Sequence, residues 1–155
     1  MESYRYEISQ IPLDQEELLL KETIFHNANG YIGVRGCFEE GYPPHMQTIR
    51  GTYINGFYDF VRMEQAEKLC GLIEEKQTIL NIADTQSIKL IIDGEAFSMF
   101  EGTVEESNRV LDMKKGYTVR TILWTSSAGR KVEIRITRMA SFAWLPLFLI
   151  EYSVP

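Results

Sequence analysis

Two pairs of adjacent carboxylates, Glu39–Glu40 and Glu105–Glu106, are the side chains in this sequence best suited to acid–base chemistry. General acid–base catalysis needs a proton donor and a base that converge on one reacting bond. Neighbouring side chains of an extended segment point to opposite faces, so neither pair converges by itself. We therefore expect both pairs to lie in solvated loops. A cross-strand pair such as Glu39 with Asp59 stays open, although nothing in the sequence brings these two residues together.

The histidines and the regularly spaced glycines do not form a ligand motif. His26 and His45 stand alone, without a cysteine or a second histidine at metal-ligand spacing, so we predict no metal site. The glycines at 30, 33 and 36 are followed by no helix whose N-terminus could bind phosphate, so we do not interpret them as a phosphate-binding loop.

Arg35 and the turn before it have two interpretations each. The Arg35 guanidinium could face a ligand, or it could fix a neighbouring loop through hydrogen bonds to carbonyl groups, and we favour the second role. Asn27, Asn29 and Gly30 most simply supply backbone with positive φ at a turn into the next strand.

Aromatic residues are concentrated in one short part of the chain. Sugars stack on aromatic faces, so a carbohydrate-binding surface is one interpretation. Core packing explains most of these residues better, because Phe and Tyr dominate the interiors of β-sandwiches. Any surplus would form an exposed patch that contacts another domain or subunit. The residues are Tyr31, Phe38, Tyr42, Tyr53, Phe57, Tyr58 and Phe60.

Composition excludes several classes of function. A net charge of −6 argues against a nucleic-acid partner, because phosphate binding needs a basic face. No stretch approaches the roughly 20 apolar residues of a membrane span, and the N-terminus lacks the pattern of a signal peptide. We therefore expect a cytoplasmic protein with no membrane partner. Cys37 and Cys70 share no metal-ligand spacing, and we expect both to be free, buried thiols.

The pattern of the remaining residues predicts one mainly β domain over residues 1–155, with one or two short helices. Asp14 to Glu22, with Asp14 as N-cap, is one helix, and a second is predicted near Met63 to Leu69. Strands are predicted at Gly30–Gly36, Gly51–Tyr58, Ile88–Ile92, Glu95–Met99, Tyr117–Trp124, Lys131–Thr137 and Leu147–Tyr152.

Two of these strands indicate how the domain is built. Lys131 to Thr137 alternates apolar and polar residues, which predicts one buried and one wet face and hence an antiparallel sheet. Short turns between neighbouring strands favour a meander folded into a β-sandwich. Leu147–Tyr152 is so apolar that further sheet should cover it, and an uncovered strand would pair with another copy of the chain.

The string ETIFHNANGYIGVRGCFEEG, from Glu22 to Gly41, resembles the N-terminal region of glycoside hydrolase family 65, which contains the maltose, trehalose and kojibiose phosphorylases. One departure is Asn81–Asp84, which lacks the proline usual in the family at that place. Further landmarks agree in order: Gly51–Asp59, Ile92–Glu95, Leu111–Gly116, Arg120, Trp124, Gly129 and Arg138–Ser141.

The resemblance implies that the catalytic residues lie in a different domain of the parent enzyme. Family members have an N-terminal super-β-sandwich of galactose-mutarotase-like shape, a linker, and an (α/α)6 barrel that carries the catalytic glutamate. They invert the anomeric centre, with phosphate as co-substrate and attacking group. This chain resembles only the first part of the sandwich, so we expect no catalytic residue, metal or cofactor within it. The expected partners are the barrel of the same parent chain, the disaccharide indirectly, and a second copy in a homodimer.

The role implied for this chain is support of the barrel, and seven residues are candidates for the substrate rim or the domain interface. Two other functions stay open. One is a free-standing carbohydrate-binding module. The other is an enzyme of the aldose-mutarotase kind, which would need a converging histidine and carboxylate. The candidates are Asn29, Arg35, Phe38, Glu39, Glu40, Tyr58 and Asp59.

Overall fold

The computed structural model describes residues 14–64 and 70–155, together with the backbone of residues 5–9. Residues 65–69 of the predicted second helix lie outside this part of the chain. The described elements are one helix, α1 (Gln15–Ile24), and the strands β1 (Arg5–Ser9), β2 (Asn27–Ala28), β3 (Ile32–Val34), β4 (Thr52–Arg62), β5 (Glu75–Asn81), β6 (Ile91–Ile92), β7 (Glu95–Ala96), β8 (Thr103–Asp112), β9 (Tyr117–Thr125), β10 (Lys131–Ala140) and β11 (Phe148–Ser153).

Helix α1 begins and ends close to where the sequence predicts. The Asp14 side chain accepts a hydrogen bond from the backbone N–H of Glu17 at 2.8 Å, which confirms Asp14 as the N-cap. Leu18 is buried and anchors the helix to the core. Among the described residues, no helix is long and apolar enough to cross a membrane.

The larger sheet has five antiparallel strands in the order β1-β8-β9-β10-β11. The last four follow one another along the chain, so they form the expected meander. Ile134 and Ile136 of β10 are buried, whereas Lys131, Glu133 and Arg135 are exposed, which confirms the predicted alternation.

The smaller sheet has the order β2-β3-β4-β5, and β6 and β7 form a separate hairpin. Asp93 and Gly94 both have positive φ, 51° and 86°, as the two central residues of a type I′ turn require. The predicted Asp93–Gly94 turn is therefore confirmed, although only two residues on each side of it pair.

The core lies on the inner face of the larger sheet. Trp124 is fully buried there, donates its indole N–H to the carbonyl of Glu101 at 2.8 Å, and meets the edge of Phe97 at a ring distance of 5.5 Å. Helix α1, the loop after β3 and the β6–β7 region cover this face. Ile32 and Val34 of the smaller sheet pack against Ala140 of the larger sheet, so the two antiparallel sheets form the predicted β-sandwich. The buried members are Leu18, Phe38, Phe97, Met99, Ile122, Trp124, Ile134 and Ile136.

Beyond Gly56, the β4–β5 ribbon is largely exposed on both faces. Its pairing register shifts between Tyr53 and Tyr58, where Gly56 has a φ of 88°. We call the residues 57–62 and 75–79 of this ribbon the arm. Phe57 is 52 % exposed and Phe60 is 55 % exposed, a large apolar exposure for a two-stranded ribbon.

Candidate functional site

Three arginines occupy inward positions on neighbouring strands of the larger sheet. Arg109 of β8 lies directly opposite Arg120 of β9, and Arg138 of β10 lies opposite Thr118. Each of the three is at most 6 % exposed. Inward positions of a sandwich sheet normally hold apolar side chains, and a buried charge is costly unless it is paired.

Two adjacent glutamates supply that pairing. One carboxylate oxygen of Glu39 accepts a hydrogen bond from Arg120 Nη1 at 2.9 Å, and the other accepts from Arg138 Nε. Glu40 binds Arg120 through both of its oxygens. Both glutamate side chains are only 2 % exposed. We call Glu39, Glu40, Arg109, Arg120 and Arg138 the ionic cluster.

The expectation that Glu39–Glu40 lies in a solvated loop is therefore wrong. The segment follows Phe38, which is fully buried, so the loop crosses the inner face of the sheet instead of leaving it. The matching expectation for Glu105–Glu106 is correct only for exposure. Both residues are exposed, but they lie on strand β8 and not in a loop, and Glu105 accepts a hydrogen bond from Thr125 at 2.6 Å.

Opposite charges within the ionic cluster stabilise the charged forms of Glu39 and Arg120. Burial tends to raise the pKa of Glu39, but the charges of Arg138 and Arg120 outweigh burial and hold this pKa below its usual value. Burial tends to lower the pKa of Arg120, and Glu40 and Glu39 more than offset that effect, so the pKa is raised. A general acid must carry a proton at neutral pH, and Glu39 in this setting does not.

Aromatic rings complete the environment of the arginines. The guanidinium carbon of Arg109 lies 5.0 Å from the ring centres of both Phe25 and Phe38, and that of Arg120 lies 4.2 Å from Phe38. These are cation–π distances. Arg109 also donates to the carbonyl of Gly36 at 3.0 Å. The candidate Phe38 is therefore a packing partner of the ionic cluster.

Arg35 connects the ionic cluster to α1. Its backbone carbonyl accepts a hydrogen bond from Arg138 at 3.3 Å, and its guanidinium donates to the Thr23 hydroxyl at 2.9 Å. These contacts fit the favoured role of fixing a neighbouring segment. Contact of Arg35 with a ligand or another domain stays a prediction.

Asn29 fastens the start of β3 to the loop after β10. Its amide nitrogen donates to the carbonyls of Ser141 at 2.6 Å and Leu145 at 2.8 Å, and its amide oxygen accepts from two backbone N–H groups at the start of β3. This loop carries two of the most exposed large apolar side chains, Phe142 and Trp144, at 71 % and 72 %. We call residues 142–147 the aromatic loop.

Tyr58 and Asp59 lie on the arm. The Tyr58 hydroxyl donates to the side chain of Asn55 at 2.9 Å, and the backbone N–H of Asn55 donates to the carbonyl of Tyr31 at 2.8 Å. Asp59 accepts from the backbone N–H of Phe60 at 2.9 Å. Asn29 therefore ties the turn before β3 to the segment between β10 and β11, and Tyr58 ties the arm to the same turn through Asn55.

The seven predicted candidates thus fall into two groups. Arg35, Phe38, Glu39 and Glu40 meet around the ionic cluster, whereas Asn29, Tyr58 and Asp59 belong to the turn and the arm. The suggested pair of Glu39 with Asp59 does not form, because Glu39 binds Arg120 and Arg138.

Sequence reasoning counted Arg120 and Arg138 only as landmarks and missed the ionic cluster. The available signal was the alternation of inward-facing and outward-facing positions along each strand. Arg120 shares the inward phase of Ile122 and Trp124, and Arg138 continues the inward phase of Ile136, so each had to be buried and paired.

The remaining titratable residues have simple surroundings. The ring of His26 lies 2.7 Å from the carbonyl of Thr23, and His45 is exposed. Cys37 and Cys70 are both free, as expected, but Cys70 is exposed, so the expectation of burial is wrong for it. Burial, followed by the charge of Glu22, raises the pKa of Cys37 to about 11. Within the described residues, no three His, Cys, Asp or Glu side chains are placed to hold a metal ion.

Comparison with known proteins gives, among others, two similar enzymes that carry the same description. The chain is 40 % identical over 151 residues to the alpha,alpha-trehalose phosphorylase of Geobacillus stearothermophilus, which covers 96 % of this chain and 20 % of that enzyme. It is 44 % identical over 134 residues to the alpha,alpha-trehalose phosphorylase of Thermoanaerobacter brockii, which covers 86 % of this chain and 17 % of that enzyme. The chain thus spans about a fifth of the length of these relatives.

A solved structure described as a putative kojibiose phosphorylase from the human microbiome has the same fold. It superposes with a TM-score of 0.80 at 24 % identity and covers 99 % of this chain and 20 % of that one. The family described as glycosyl hydrolase family 65, N-terminal domain, matches residues 8–155. This chain therefore belongs to glycosyl hydrolase family 65 and corresponds to the N-terminal domain of its members.

Proposed function

We propose that this chain is the non-catalytic support domain of an inverting disaccharide phosphorylase. The observation that carries the proposal is the match of residues 8–155 to the N-terminal domain of family 65, at 40 % identity to a trehalose phosphorylase. The parent enzyme would cleave an α-linked glucosyl disaccharide with phosphate and release β-glucose 1-phosphate. We favour trehalose as the substrate of the parent enzyme and the cytoplasm as its location.

The ionic cluster supports a structural role over a catalytic one. Glu39 is fully engaged by two arginines, and its lowered pKa makes it a poor proton donor. Glu40 is held by Arg120 in the same way. Both carboxylates are occupied by arginines, so neither is free to protonate a leaving group or to activate an attacking group.

The exposed apolar surfaces are the proposed contacts with the barrel of the parent chain. Phe57 and Phe60 on the arm, and Phe142 and Trp144 on the aromatic loop, each have more than half of their surface exposed. Apolar exposure on this scale marks surfaces that become covered in an assembly. The rim of the active site would then lie near the turn held by Asn29.

The gene from which the chain derives gives the direct test. Its complete product, expressed and purified, should convert trehalose and phosphate to glucose and β-glucose 1-phosphate, with the anomer identified by NMR. Release of the α-anomer would contradict inversion. If the complete product cleaved kojibiose or maltose but not trehalose, the assignment of trehalose as substrate would be wrong, and the support role would be unaffected.

A double substitution on the arm tests the contact with the barrel. Phe57→Ser with Phe60→Ser should leave the Tm of the 155-residue chain within about 2 °C, because both rings are exposed here, and should lower the Tm of the complete product. Leu20→Ser on α1, which alters a side chain that is 59 % exposed, serves as the control. Equal effects on chain and complete product would argue against the contact.

A carbohydrate-binding module is the second candidate, and one observation favours it. An open groove runs between residues 39–44 and 87–101, and it is lined by Tyr42, Ser87, Lys89 and Glu101 among others. Calorimetric titration of the chain with trehalose, maltose and kojibiose tests this function. Millimolar or tighter binding would support it, and the support role predicts no measurable heat.

A further inference from the structure

A small cavity lies within the ionic cluster. Its volume is about 10 Å³, which suits one small particle such as a water molecule or a monatomic ion. The polar side chains that line it are three arginines, one glutamate and one threonine. The lining includes Arg109, Arg120, Arg138, Glu39, Thr118 and Phe25.

The charges around this cavity do not balance. Three arginines face two glutamates, so one positive charge remains within the ionic cluster. Both oxygens of Glu39 are already occupied by Arg120 and Arg138. Arg109 is the arginine of the three with no carboxylate in direct ion-pair contact. It donates to the Gly36 carbonyl and lies over two phenylalanine rings, and the carboxylate that attracts its charge, Glu39, is already bound by Arg120 and Arg138.

Two further observations indicate that positive charge is in excess here. The Nε atom of Arg120 is buried and has no hydrogen-bond acceptor among the described residues. Burial, followed by repulsion from Arg120 and Arg138, lowers the pKa of Arg109 to about 10. An unpaired buried charge is among the most costly features of a protein interior, and a counter-ion of the right size would remove the cost.

We propose that this cavity binds one monatomic anion, chloride under ordinary conditions, and that the anion neutralises the ionic cluster. Phosphate and other oxyanions are larger than the particle that a volume of about 10 Å³ suits, so we assign the site to a monatomic anion and not to the phosphate of the parent enzyme. The proposal does not depend on the proposed function, because it rests on charge and space within this chain alone.

Crystals of the 155-residue chain grown in sodium bromide give the first test. An anomalous difference peak for bromide should appear in the cavity beside Arg109. A cavity that is empty or contains only water, without an anomalous peak, would overturn the proposal.

Thermal unfolding gives the second test. Chloride should replace gluconate at constant ionic strength, because gluconate is too large for the cavity. Above the Kd of chloride, each tenfold rise in its concentration should raise the folding equilibrium constant by about tenfold. Arg109→Met should abolish this response. Arg130→Gln, which alters an arginine that is 61 % exposed, should retain it.

Both tests must succeed together. If Arg109→Met does not fold, the bromide peak and the chloride dependence of the unmodified chain still decide the matter. Identical unfolding in chloride and gluconate would overturn the proposal, and so would an Arg130→Gln variant that alone loses the response.

Discussion

Glu39 joins three separate parts of the chain at one carboxylate. It lies in the loop after β3, and its two oxygens bind Arg120 on β9 and Arg138 on β10. Arg138 in turn contacts the carbonyls of Arg35 and Cys37. Because these partners are almost fully buried, each relies on the others for the hydrogen bonds that water would otherwise supply.

Glu39→Gln should therefore be strongly destabilising. Removing one partner of a buried ion pair leaves an uncompensated charge and costs about 3–5 kcal/mol. Urea unfolding followed by circular dichroism measures the change. Glu105→Gln is the matched control, because Glu105 pairs with Lys131 at the surface, and it should change stability little. Equal effects of the two substitutions would contradict the role of the ionic cluster.

The same carboxylate should make stability depend on pH in the acid range. The pKa of Glu39 is lowered from 4.5 in the folded chain, so its contribution is present above about pH 4.5 and is lost as pH falls through the folded pKa. The unfolding free energy of the unmodified chain should fall over this window. Glu39→Gln should show a shallower fall, and an unchanged slope would contradict the assignment.

The two thiols should differ sharply in reactivity. Cys37 is buried with a pKa raised to about 11, whereas Cys70 is exposed. Ellman's reagent should modify one thiol per chain rapidly, and mass spectrometry should locate it at Cys70. The second thiol should react after unfolding in urea. Rapid modification of Cys37 in the folded chain would contradict its burial.

At the scale of elements, the sequence correctly predicted those helices, turns and strands that are specified by neighbouring residues. Asp14 caps α1, Asp93–Gly94 forms its turn, and β10 alternates as expected, because a cap, a tight turn and an alternating strand are each specified by residues that are close together in sequence. Strand β8 was missed because its first half is polar and a register shift between Val104 and Glu106 interrupts the alternation. Long-range pairing, which no local pattern encodes, decides such strands.

The ionic cluster could not be assembled from sequence for a related reason. The residues that meet there are separated by up to 99 positions, as in the pair of Arg138 with Glu39. The inward phase of each arginine predicts burial, but it does not identify the partner. For that, the path of the loop after β3 across the sheet must be known.

Two glycines on either side of Arg35 provide a test at this scale. A Cβ at Gly36 would lie 2.7 Å from the backbone oxygen of Phe25, so Gly36→Ala must displace backbone and should cost about 1–3 kcal/mol. A Cβ at Gly33 would meet its nearest neighbour, Ala28 Cβ, at an ordinary 3.7 Å. Gly33→Ala should therefore be close to neutral in urea unfolding. The reverse order would contradict the packing of the loop against α1.

At the scale of the whole molecule, the larger sheet ends in an edge strand beside which no further strand lies among the described residues. Strand β11 pairs with β10 and lies at the end of the strand order. Leu149 on this strand is 42 % exposed. An edge with exposed apolar side chains is a template for pairing with another strand.

The isolated chain should therefore self-associate at high concentration, and Leu149→Lys should reduce that association. Sedimentation velocity over a range of concentrations measures both effects. Leu20→Lys is the control, because it adds the same charge at an exposed leucine on α1. A monomer at every concentration, or equal effects of the two substitutions, would contradict pairing through β11.

The central claim is that this domain supports catalysis carried out by another part of the parent enzyme. The most direct measurement incubates the purified 155-residue chain with phosphate and trehalose, maltose or kojibiose, and follows glucose 1-phosphate. The account predicts no product above the enzyme-free control for any of the three sugars. Phosphate-dependent formation of glucose 1-phosphate by the chain alone would contradict it.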